Sequence, residues 1–387
     1  MVKQVGKWTE MRAADFIEFN PRMSIKKGTI ATKVAMDKLQ PFTKKIPDTE
    51  KAPFSGGSKF RNGDTIMARI TPCLENGKTA FVDILGEDEI AFGSTEFIVM
   101  RAKEGVSDPQ FIYYLATSPS FRNIAIKSMV GSSGRQRVQQ TVLDELVLSV
   151  PPLEEQKKIS SLLCVLDQKI ALNNEINDNL AELLQTVYQE RFGDVSAAGE
   201  QGKLLDICFY SKDRVAVSEL NTSTYFSTEN MLPGKAGATE AASLPTTPQT
   251  TACHNGDTLI SNIRPYFKKI VYCNDECGCS TDVLCFTPVQ SKYAAYLFST
   301  LYADKFFAFM VAGSKGTKMP RGDKQQIMSY PVALPSEEEL KEFNALALPV
   351  LAKIHSNKAE NKRLSATRDA LLPKLMSGEI DVSDIQF

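Results

Sequence analysis

The most regular pattern of hydrophobic and polar positions lies in two stretches where apolar residues recur at alternating spacings of four and three. The first series runs from Ile159 to Arg191 and the second from Phe343 to Leu375, at a constant offset of 184 residues. This spacing predicts two long helices that pair through a heptad seam. Pro349 lies inside the second series and is expected to kink that helix or to delay its start.

Two asparagines occupy the same central seam positions in both predicted helices. They are Asn173 and Asn177 in the first helix and Asn357 and Asn361 in the second. Polar seam residues cost stability but fix register, and two unrelated core helices would have no reason to share them. The ends of a compact domain are often close together, so the helices are expected to be antiparallel. Asn173 should then face Asn361, and Asn177 should face Asn357.

Shorter patterns precede each long helix and mix strands with helices. Thr65–Ile70 and Phe97–Met100 are predicted strands, whereas Phe111–Leu115, Phe121–Ile126 and Tyr293–Phe309 are predicted helices. Glycine, proline and serine mark loops at Gly56-Gly57, Pro233-Gly234 and Ser243–Thr251. The fold class is therefore expected to be α+β.

The chain also repeats itself. GDTIMARITP, from Gly63, returns as GDTLISNIRP, from Gly256. Further pairs follow in the same order: Ser94-Thr95-Glu96-Phe97 with Ser280-Thr281-Asp282-Val283, Gly131-Ser-Ser-Gly134 with Gly313-Ser-Lys-Gly316, and PPLEEQ from Pro151 with LPSEEE from Leu334. A period this long indicates two homologous domains. We expect globular domains at 1–150 and 196–335, separated by a pair of long antiparallel coiled-coil helices at 151–195 and 336–387.

Composition and charge narrow the class of protein. Of 387 residues, 43% are hydrophobic and 24% are charged, which excludes wholesale disorder. No apolar run reaches the roughly 20 residues of a membrane span, and no signal-peptide core is present, so a cytoplasmic protein with reduced cysteines and no membrane contact is expected. The net charge of −1 is the sum of +4 over 1–150, −4 over 151–195, +1 over 196–335 and −2 over 336–387. Because two of these segments are basic, a polyanionic partner is not excluded.

A search for catalytic motifs favours a protein that is not an enzyme. GSSGRQ and GSKGTK do not complete a phosphate-binding loop, and no dinucleotide-binding glycine motif or asparagine-proline-proline-aromatic motif occurs. The two histidines, His254 and His355, have no adjacent nucleophile in the sequence. We expect no catalytic residue and no cofactor.

The cysteines of the second half are the one candidate metal group. They comprise Cys253, Cys273, Cys277, Cys279 and Cys285, with His254 beside the first. The spacing is not the paired C-x2-C arrangement of strong zinc sites, and the matching stretch of the first half, 80–100, has no cysteine. A repeat that folds once without metal is expected to do so twice, so no metal site is predicted.

Basic and amide side chains recur in the repeated turns, and these suit nucleic acid. Arginine can bond guanine and glutamine can bond adenine, whereas lysine often binds phosphate. Any one of them could be a solvated surface charge, but their recurrence in both halves favours DNA binding. The candidate DNA-binding residues are Arg69, Arg135, Gln136, Arg137, Arg264, Tyr266, Lys268, Lys315, Lys318 and Arg321.

Three segments make the sequence resemble the specificity subunit of type I restriction–modification systems. They are the Pro-Pro-Leu-x-Glu-Gln junction at Pro151, its weaker repeat near Pro335, and the stretch from Leu371 to Ile380. In the second junction Leu334 replaces a proline and Glu339 a glutamine, which leaves the start of the second helix open.

The resemblance implies a non-catalytic DNA-recognition subunit. Each globular domain would read one half of a bipartite double-stranded DNA target, two methyltransferase subunits would dock on the helices, and restriction subunits would join them. The alternative is a coiled-coil scaffold that binds other proteins and no DNA. A metalloenzyme using the second-half cysteines is a more distant alternative.

Overall fold

The structure, a computed structural model, describes residues 8–132, 134–197 and 199–385. The chain divides into two compact units. Unit 1 comprises 1–171 with 360–387, and unit 2 comprises 172–359. Both mix helices and strands, so the α+β class is confirmed. Within the described residues, no helix combines the length and the apolar character needed to cross a membrane.

The elements before the first long helix form the globular part of unit 1. In chain order they are β1 Thr9–Arg12, α1 Ala13–Phe16, β2 Ile17–Phe19, β3 Ile30–Val34, β4 Glu50–Pro53, β5 Lys59–Phe60, β6 Thr65–Ala68, β7 Thr79–Phe81, β8 Ala91–Gly93, β9 Phe97–Ala102, α2 Pro109–Thr117, α3 Pro119–Lys127, α4 Gln140–Asp144 and β10 Val147–Val150. Asp108 and Ser118 cap α2 and α3, and a proline begins each helix.

The first long helix, α5, is Leu153–Phe192. The elements after it are β11 Gln201–Lys203, α6 Leu204–Ile207, β12 Cys208–Tyr210, β13 Arg214–Ala216, β14 Tyr225–Phe226, β15 Gln249–Cys253, β16 Thr258–Ser261, β17 Ile270–Tyr272, β18 Cys277–Cys279, β19 Val283–Pro288, α7 Ala294–Tyr302, α8 Asp304–Ala312, α9 Lys324–Met328 and β20 Pro331–Ala333. The second long helix, α10 Glu337–Met376, ends the series.

The sheets show that the two units repeat one topology. A four-stranded antiparallel sheet has the order β2-β9-β6-β7 in unit 1 and β12-β19-β16-β17 in unit 2. Its register also agrees, because Thr65 pairs with Met100 and the matching Thr258 pairs with Phe286. A two-stranded pair, β1-β10 or β11-β20, precedes the long helix in each unit.

The second sheet is where the two units differ. Its shared core is β3-β8-β5 in unit 1 and β14-β18-β15 in unit 2, with one parallel and one antiparallel pair in each. Unit 1 adds β4 beside β3, whereas unit 2 adds β13 beside β15. The extra strand therefore lies on opposite edges of the shared core.

Each unit holds an antiparallel segment of the two long helices. In unit 1, Leu163 of α5 and Leu375 of α10 are buried in the core that also contains α2 and α3. In unit 2, Leu184 and Tyr188 of α5 share a core with Phe343 of α10. Arg191, the last predicted seam residue, is exposed, and the next residue, Phe192, is buried instead. A helix with 3.6 residues per turn drifts from a strict heptad, which accounts for this shift.

Two predictions about elements are wrong, and one alternative of a third is excluded. Tyr293–Phe309 is two helices rather than one, because Ala303 adopts an extended conformation (φ −64°, ψ 140°) between α7 and α8. The last residues of the predicted loop Ser243–Thr251 belong to strand β15, which begins at Gln249. Of the two alternatives for Pro349, the delayed start is excluded, because helix α10 begins twelve residues before this proline. The kink stays a prediction. Pro349 lies on the exposed face, where water can bond the carbonyl group it leaves free.

The match between the two glycine-serine turns is also wrong, by three residues. Ser128 caps the end of α3, and Gly313 caps the end of α8. Bridges Val130–Arg137 and Lys315–Arg321 then follow in the two units. This register aligns Gly131 with Gly316, both of which have positive φ, and not with Gly313. The similar letters concealed the shift because serine and glycine can each end a helix.

Candidate nucleic-acid interface

Three segments meet at the end of strand β6 in unit 1: the residues after β6, the turn that follows α3, and the residues before β9. Backbone bonds join the segment after β6 to the turn that contains Arg135 and Gln136: Val138 N–H donates to the Arg69 carbonyl (2.8 Å), and Thr71 N–H donates to the Gln136 carbonyl (3.0 Å). Gln136 N–H in turn donates to Thr71 Oγ1 (3.0 Å). Arg69 and the segment Arg135–Arg137, far apart in sequence, therefore lie together.

A bidentate ion pair holds the same turn to the start of β9. Arg137 Nη2 lies 2.6 Å from Glu96 Oε1, and Arg137 Nε bonds both Glu96 oxygens at 3.0 Å. The hydrogen bonds to Glu96 raise the pKa of Arg137. Arg137 is thus committed to a carboxylate, whereas Arg135 is exposed and Gln136 half-buried.

Unit 2 repeats this arrangement with different side chains. Arg264 N–H donates to the Pro320 carbonyl (2.8 Å), and Lys315 and Arg321 exchange two backbone bonds of 2.9 Å. Arg321 Nη2 lies 2.9 Å from Asp282 Oδ1, the counterpart of the Arg137–Glu96 pair. Each unit therefore fastens its turn with one arginine–carboxylate pair.

The remaining candidates of unit 2 surround this turn. Lys315 Nζ pairs with Asp323 at 2.6 Å and Lys268 Nζ with Asp304 at 2.9 Å. Lys318 and Tyr266 are exposed. Tyr266 lies in the short turn Pro265–Phe267 that follows Arg264, and Lys268 lies between this turn and β17.

Several buried polar atoms near these turns have no hydrogen-bond partner among the described residues. They include Arg69 Nε, Asn262 Oδ1 and Arg264 Nε. Asn262 occupies the position in unit 2 that Arg69 occupies in unit 1, and its side chain is 8% exposed. Unpaired buried polar groups are costly, so their concentration at matched loops suggests groups available to a ligand or to water.

Sequence reasoning missed the carboxylates that hold the turns. Glu96 and Asp282 lie in the repeated Ser-Thr-Glu and Ser-Thr-Asp segments, so the repetition of an acidic residue was the available signal. It also missed Lys235, which pairs with Asp304 at 2.7 Å in unit 2. No sequence spacing links residues 235 and 304.

The seam asparagines are placed as follows. Asn357 Nδ2 donates to Asn177 Oδ1 (2.9 Å), and both side chains are buried. Asn173 is 1% exposed and Asn361 half-buried, and the predicted Asn173–Asn361 pairing stays a prediction. This hydrogen bond in unit 2 satisfies two polar groups that would otherwise be buried without partners in the apolar seam.

A polar network fastens the long helices to the globular part of unit 1. Arg368 Nη1 lies 2.7 Å from Asp167 Oδ1, and Tyr114 Oη donates to Asp167 Oδ2 (2.6 Å). Burial and the Asp167 charge raise the pKa of Tyr114, so its phenol stays protonated and donates. Lys44 Nζ lies 3.2 Å from Tyr114 Oη and 4.7 Å from its ring centroid.

The second-half cysteines lie in a small buried cluster of unit 2. Cys277 and Cys273 have their sulfur atoms 3.6 Å apart, and Cys285 Sγ lies 3.2 Å from Asp257 Oδ2. The hydrogen bond from Cys277 and burial raise the pKa of Cys273, which keeps this thiol protonated. Across the described ranges, no group of three or more histidine, cysteine, aspartate or glutamate side chains is arranged to bind a metal ion.

Comparisons with known proteins agree with this architecture. Residues 6–182 match the family model of the type I restriction modification DNA specificity domain. The type I restriction enzyme EcoAI specificity subunit of Escherichia coli is 32% identical over 148 residues, which are 36% of this chain and 24% of that subunit. The MjaVIII specificity subunit of Methanocaldococcus jannaschii is 21% identical over 98% of this chain and 94% of its own length.

One solved structure supports the fold. It is the type I restriction-modification system S subunit from M. genitalium, with a TM-score of 0.51, 16% identity and 97% of each chain covered. The aligned part of this chain thus spans about a quarter of the EcoAI subunit and nearly all of the MjaVIII subunit. The resemblance drawn from the sequence is confirmed: residues 6–182 are similar to the type I restriction modification DNA specificity domain.

Proposed function

We propose that this chain is the DNA sequence-specificity subunit of a type I restriction–modification enzyme. Unit 1 and unit 2 each read one half of a bipartite duplex target through the turn that follows α3 or α8. The chain itself carries no catalytic residue and needs no cofactor. It directs chemistry that the methyltransferase and restriction subunits perform.

One observation carries the proposal: both units build the same turn and give it different outward side chains. The Arg137–Glu96 and Arg321–Asp282 pairs occupy matched positions and hold the backbone. Between the matched bridge residues, unit 1 presents Arg135 and Gln136 and unit 2 presents Lys318 and Met319. A shared scaffold with variable tips is what two readers of different base sequences require.

The long helices are the proposed docking surface for two methyltransferase subunits. Several apolar side chains of these helices are exposed, including Val165 (54%), Leu172 (51%), Leu183 (46%) and Leu348 (45%). Exposed apolar residues on acidic helices fit a protein partner better than DNA, because phosphates repel acidic side chains. Co-purification of the full chain with the methyltransferase subunit, weakened by Leu183→Glu, would support this docking.

A salt series on duplex DNA tests recognition. The full chain should bind a labelled 40-base-pair duplex, and affinity should fall steeply with salt because phosphate contacts release counterions. Arg135→Ala combined with Lys318→Ala should reduce the slope by about two, roughly one for each positive charge removed from the DNA interface. Lys341→Ala, an exposed lysine of α10, is the matched control and should leave the slope unchanged. Absence of binding at low salt would favour the protein-binding scaffold instead.

A further inference from the structure

Two large aromatic side chains are exposed side by side in unit 2. Tyr266 is 50% and Phe267 39% exposed, and their ring centroids lie 4.7 Å apart. Both belong to the short turn Pro265–Phe267 between β16 and β17. Neighbouring exposed aromatic rings commonly mark a binding surface, because burial in the protein core would otherwise be favourable.

The backbone around these rings is strained and well held. Arg264 (φ 51°) and Lys268 (φ 52°) both adopt the left-handed conformation, which is unfavourable for a residue that carries a Cβ atom. Gly234 N–H donates to the Phe267 carbonyl (2.8 Å), and Lys235 N–H donates to the Lys268 carbonyl (2.9 Å). Strain maintained at an exposed turn is typical of functional sites.

The surroundings of the two rings are cationic. Lys235 and Lys268 share the single carboxylate of Asp304, at 2.7 and 2.9 Å. Lys269 Nζ lies 5.9 Å from the Phe267 ring, and Arg264 immediately precedes the turn. Four cations against one carboxylate leave an excess of positive charge, which suits the phosphates on either side of a base step.

The matching turn of unit 1 lacks these rings. Cys73 and Leu74 replace Tyr266 and Phe267 there, and Leu74 is fully buried. An aromatic residue from another segment lies beside that turn instead: Phe42 is 58% exposed at φ 53°, and its N–H donates to the Gly77 carbonyl (3.0 Å). Both units therefore place an exposed ring beside the same loop by different routes.

We propose that Tyr266, backed by Phe267, is a wedge that inserts at one base step of duplex DNA. The inference rests on the proposed function and assigns this turn a part in it. The ring would stack on the exposed face of a base while Lys268 and Arg264 hold the flanking phosphates. Flexible pyrimidine–purine steps would accept the wedge most easily, so unit 2 would read DNA deformability as well as base edges.

Fluorescence of 2-aminopurine tests the wedge with the full chain. Duplexes are first selected by the chain from a random-sequence pool, and 2-aminopurine is then placed at each position of the selected site. A base unstacked by the wedge should brighten at one step with the native chain. Tyr266→Ala should abolish this signal and weaken binding roughly 5- to 150-fold, the range for one base–aromatic stack.

Two further variants control for aromatic area and for ring chemistry. Tyr266→Phe keeps the ring and should retain the signal. Phe209→Ala removes another exposed ring (47%), on strand β12, which is at the opposite edge of its sheet from β17. It should change neither the signal nor the affinity.

The outcomes separate the wedge from the proposed function. Binding without brightening at any position, or equal brightening in Tyr266→Ala, overturns the wedge and leaves DNA recognition intact. Weakened association with the methyltransferase subunit, at unchanged DNA affinity, would make the rings a protein contact and also overturn the wedge. Failure to select any duplex overturns both.

Discussion

Replacing Asp64 by Asn should destabilise unit 1 strongly, whereas the matching change at Asp257 should not destabilise unit 2. Both residues follow the glycine of the repeated Gly-Asp-Thr segment, and each is 1% exposed. Arg101 bonds Asp64 through Nε and Nη2, both at 2.7 Å. In unit 2 the position of Arg101 is taken by Thr287, so no arginine reaches Asp257 from there.

The expected cost follows from these contacts. Arg101 bonds both Asp64 oxygens, and Arg61 N–H also donates to Oδ2 (2.8 Å). In Asp64→Asn, the amide NH2 group must therefore face one of these N–H donors. The side chain also no longer carries a negative charge opposite the Arg101 guanidinium, which is 14% exposed. Breaking a buried ion pair by removing one partner typically costs about 3–5 kcal/mol.

Asp257 has different contacts. His254 N–H and Cys285 Sγ bond the same oxygen, Oδ2, which an asparagine carbonyl can replace. Burial raises the pKa of Asp257 above its usual range. Its stabilising contribution therefore exists below the unfolded-state pKa of about 3.9 and is lost as pH rises through the folded-state value. Asp257→Asn should change stability by less than about 1 kcal/mol at pH 7 and remove this pH dependence.

Urea denaturation followed by tryptophan fluorescence measures the Asp64 effect. The chain has one tryptophan, Trp8, whose indole donates to Glu155 Oε1 (2.9 Å) within unit 1. Asp64→Asn should lower the midpoint of that signal by roughly 1–5 M urea, given usual slopes of about 1–3 kcal/mol per molar. For Asp257→Asn, urea denaturation is followed by circular dichroism, because the only tryptophan lies in unit 1. Equal losses for the two variants would refute the argument that Arg101 makes the difference.

Three further changes have defined outcomes. Arg368→Met removes the cation that pairs with Asp167, whose side chain is 12% exposed, and should cost about 3–5 kcal/mol in the Trp8 urea titration; a loss below 1 kcal/mol would mean the pair is solvated. Asn177→Leu leaves the Asn357 amide unpaired and should cost about 1–3 kcal/mol, but the double Leu variant should recover part of it; additive losses would count against the amide pair. Adding one heptad to both α5 and α10 should lengthen each helix by roughly 10 Å. If the helices set the distance between the two half-sites, the DNA between the half-sites should lengthen by about three base pairs. Unchanged spacing of the methylated half-sites would contradict this role of the helices.

The repeated elements could be predicted from sequence because their signals are local and periodic. The heptad pattern located α5 and α10, and the Gly-Asp-Thr repeat located β6 and β16. The break at Ala303 could not be found, because apolar residues continue on both sides and no glycine or proline marks it. Likewise, the register of the turns depends on backbone bridges between distant residues, which similar letters do not reveal.

The candidate site was predictable only in part. The basic residues of the turns were visible as a repeated composition, but their partners were not. Glu96 and Asp282 become partners of Arg137 and Arg321 only when β9 and β19 bring them beside the turns. Tyr266 was identified by its place next to Arg264, whereas the left-handed residues that expose it depend on tertiary contacts.

Methylome sequencing of cells that carry the chain and its methyltransferase tests the central claim most directly. The native chain should give one bipartite methylated sequence. Arg135→Ala with Gln136→Ala should relax or change bases in one half only, and Lys318→Ala with Tyr266→Ala should do so in the other half, with the gap unchanged in both. Variants of either unit that alter both halves, or neither, would contradict two separate readers on one chain.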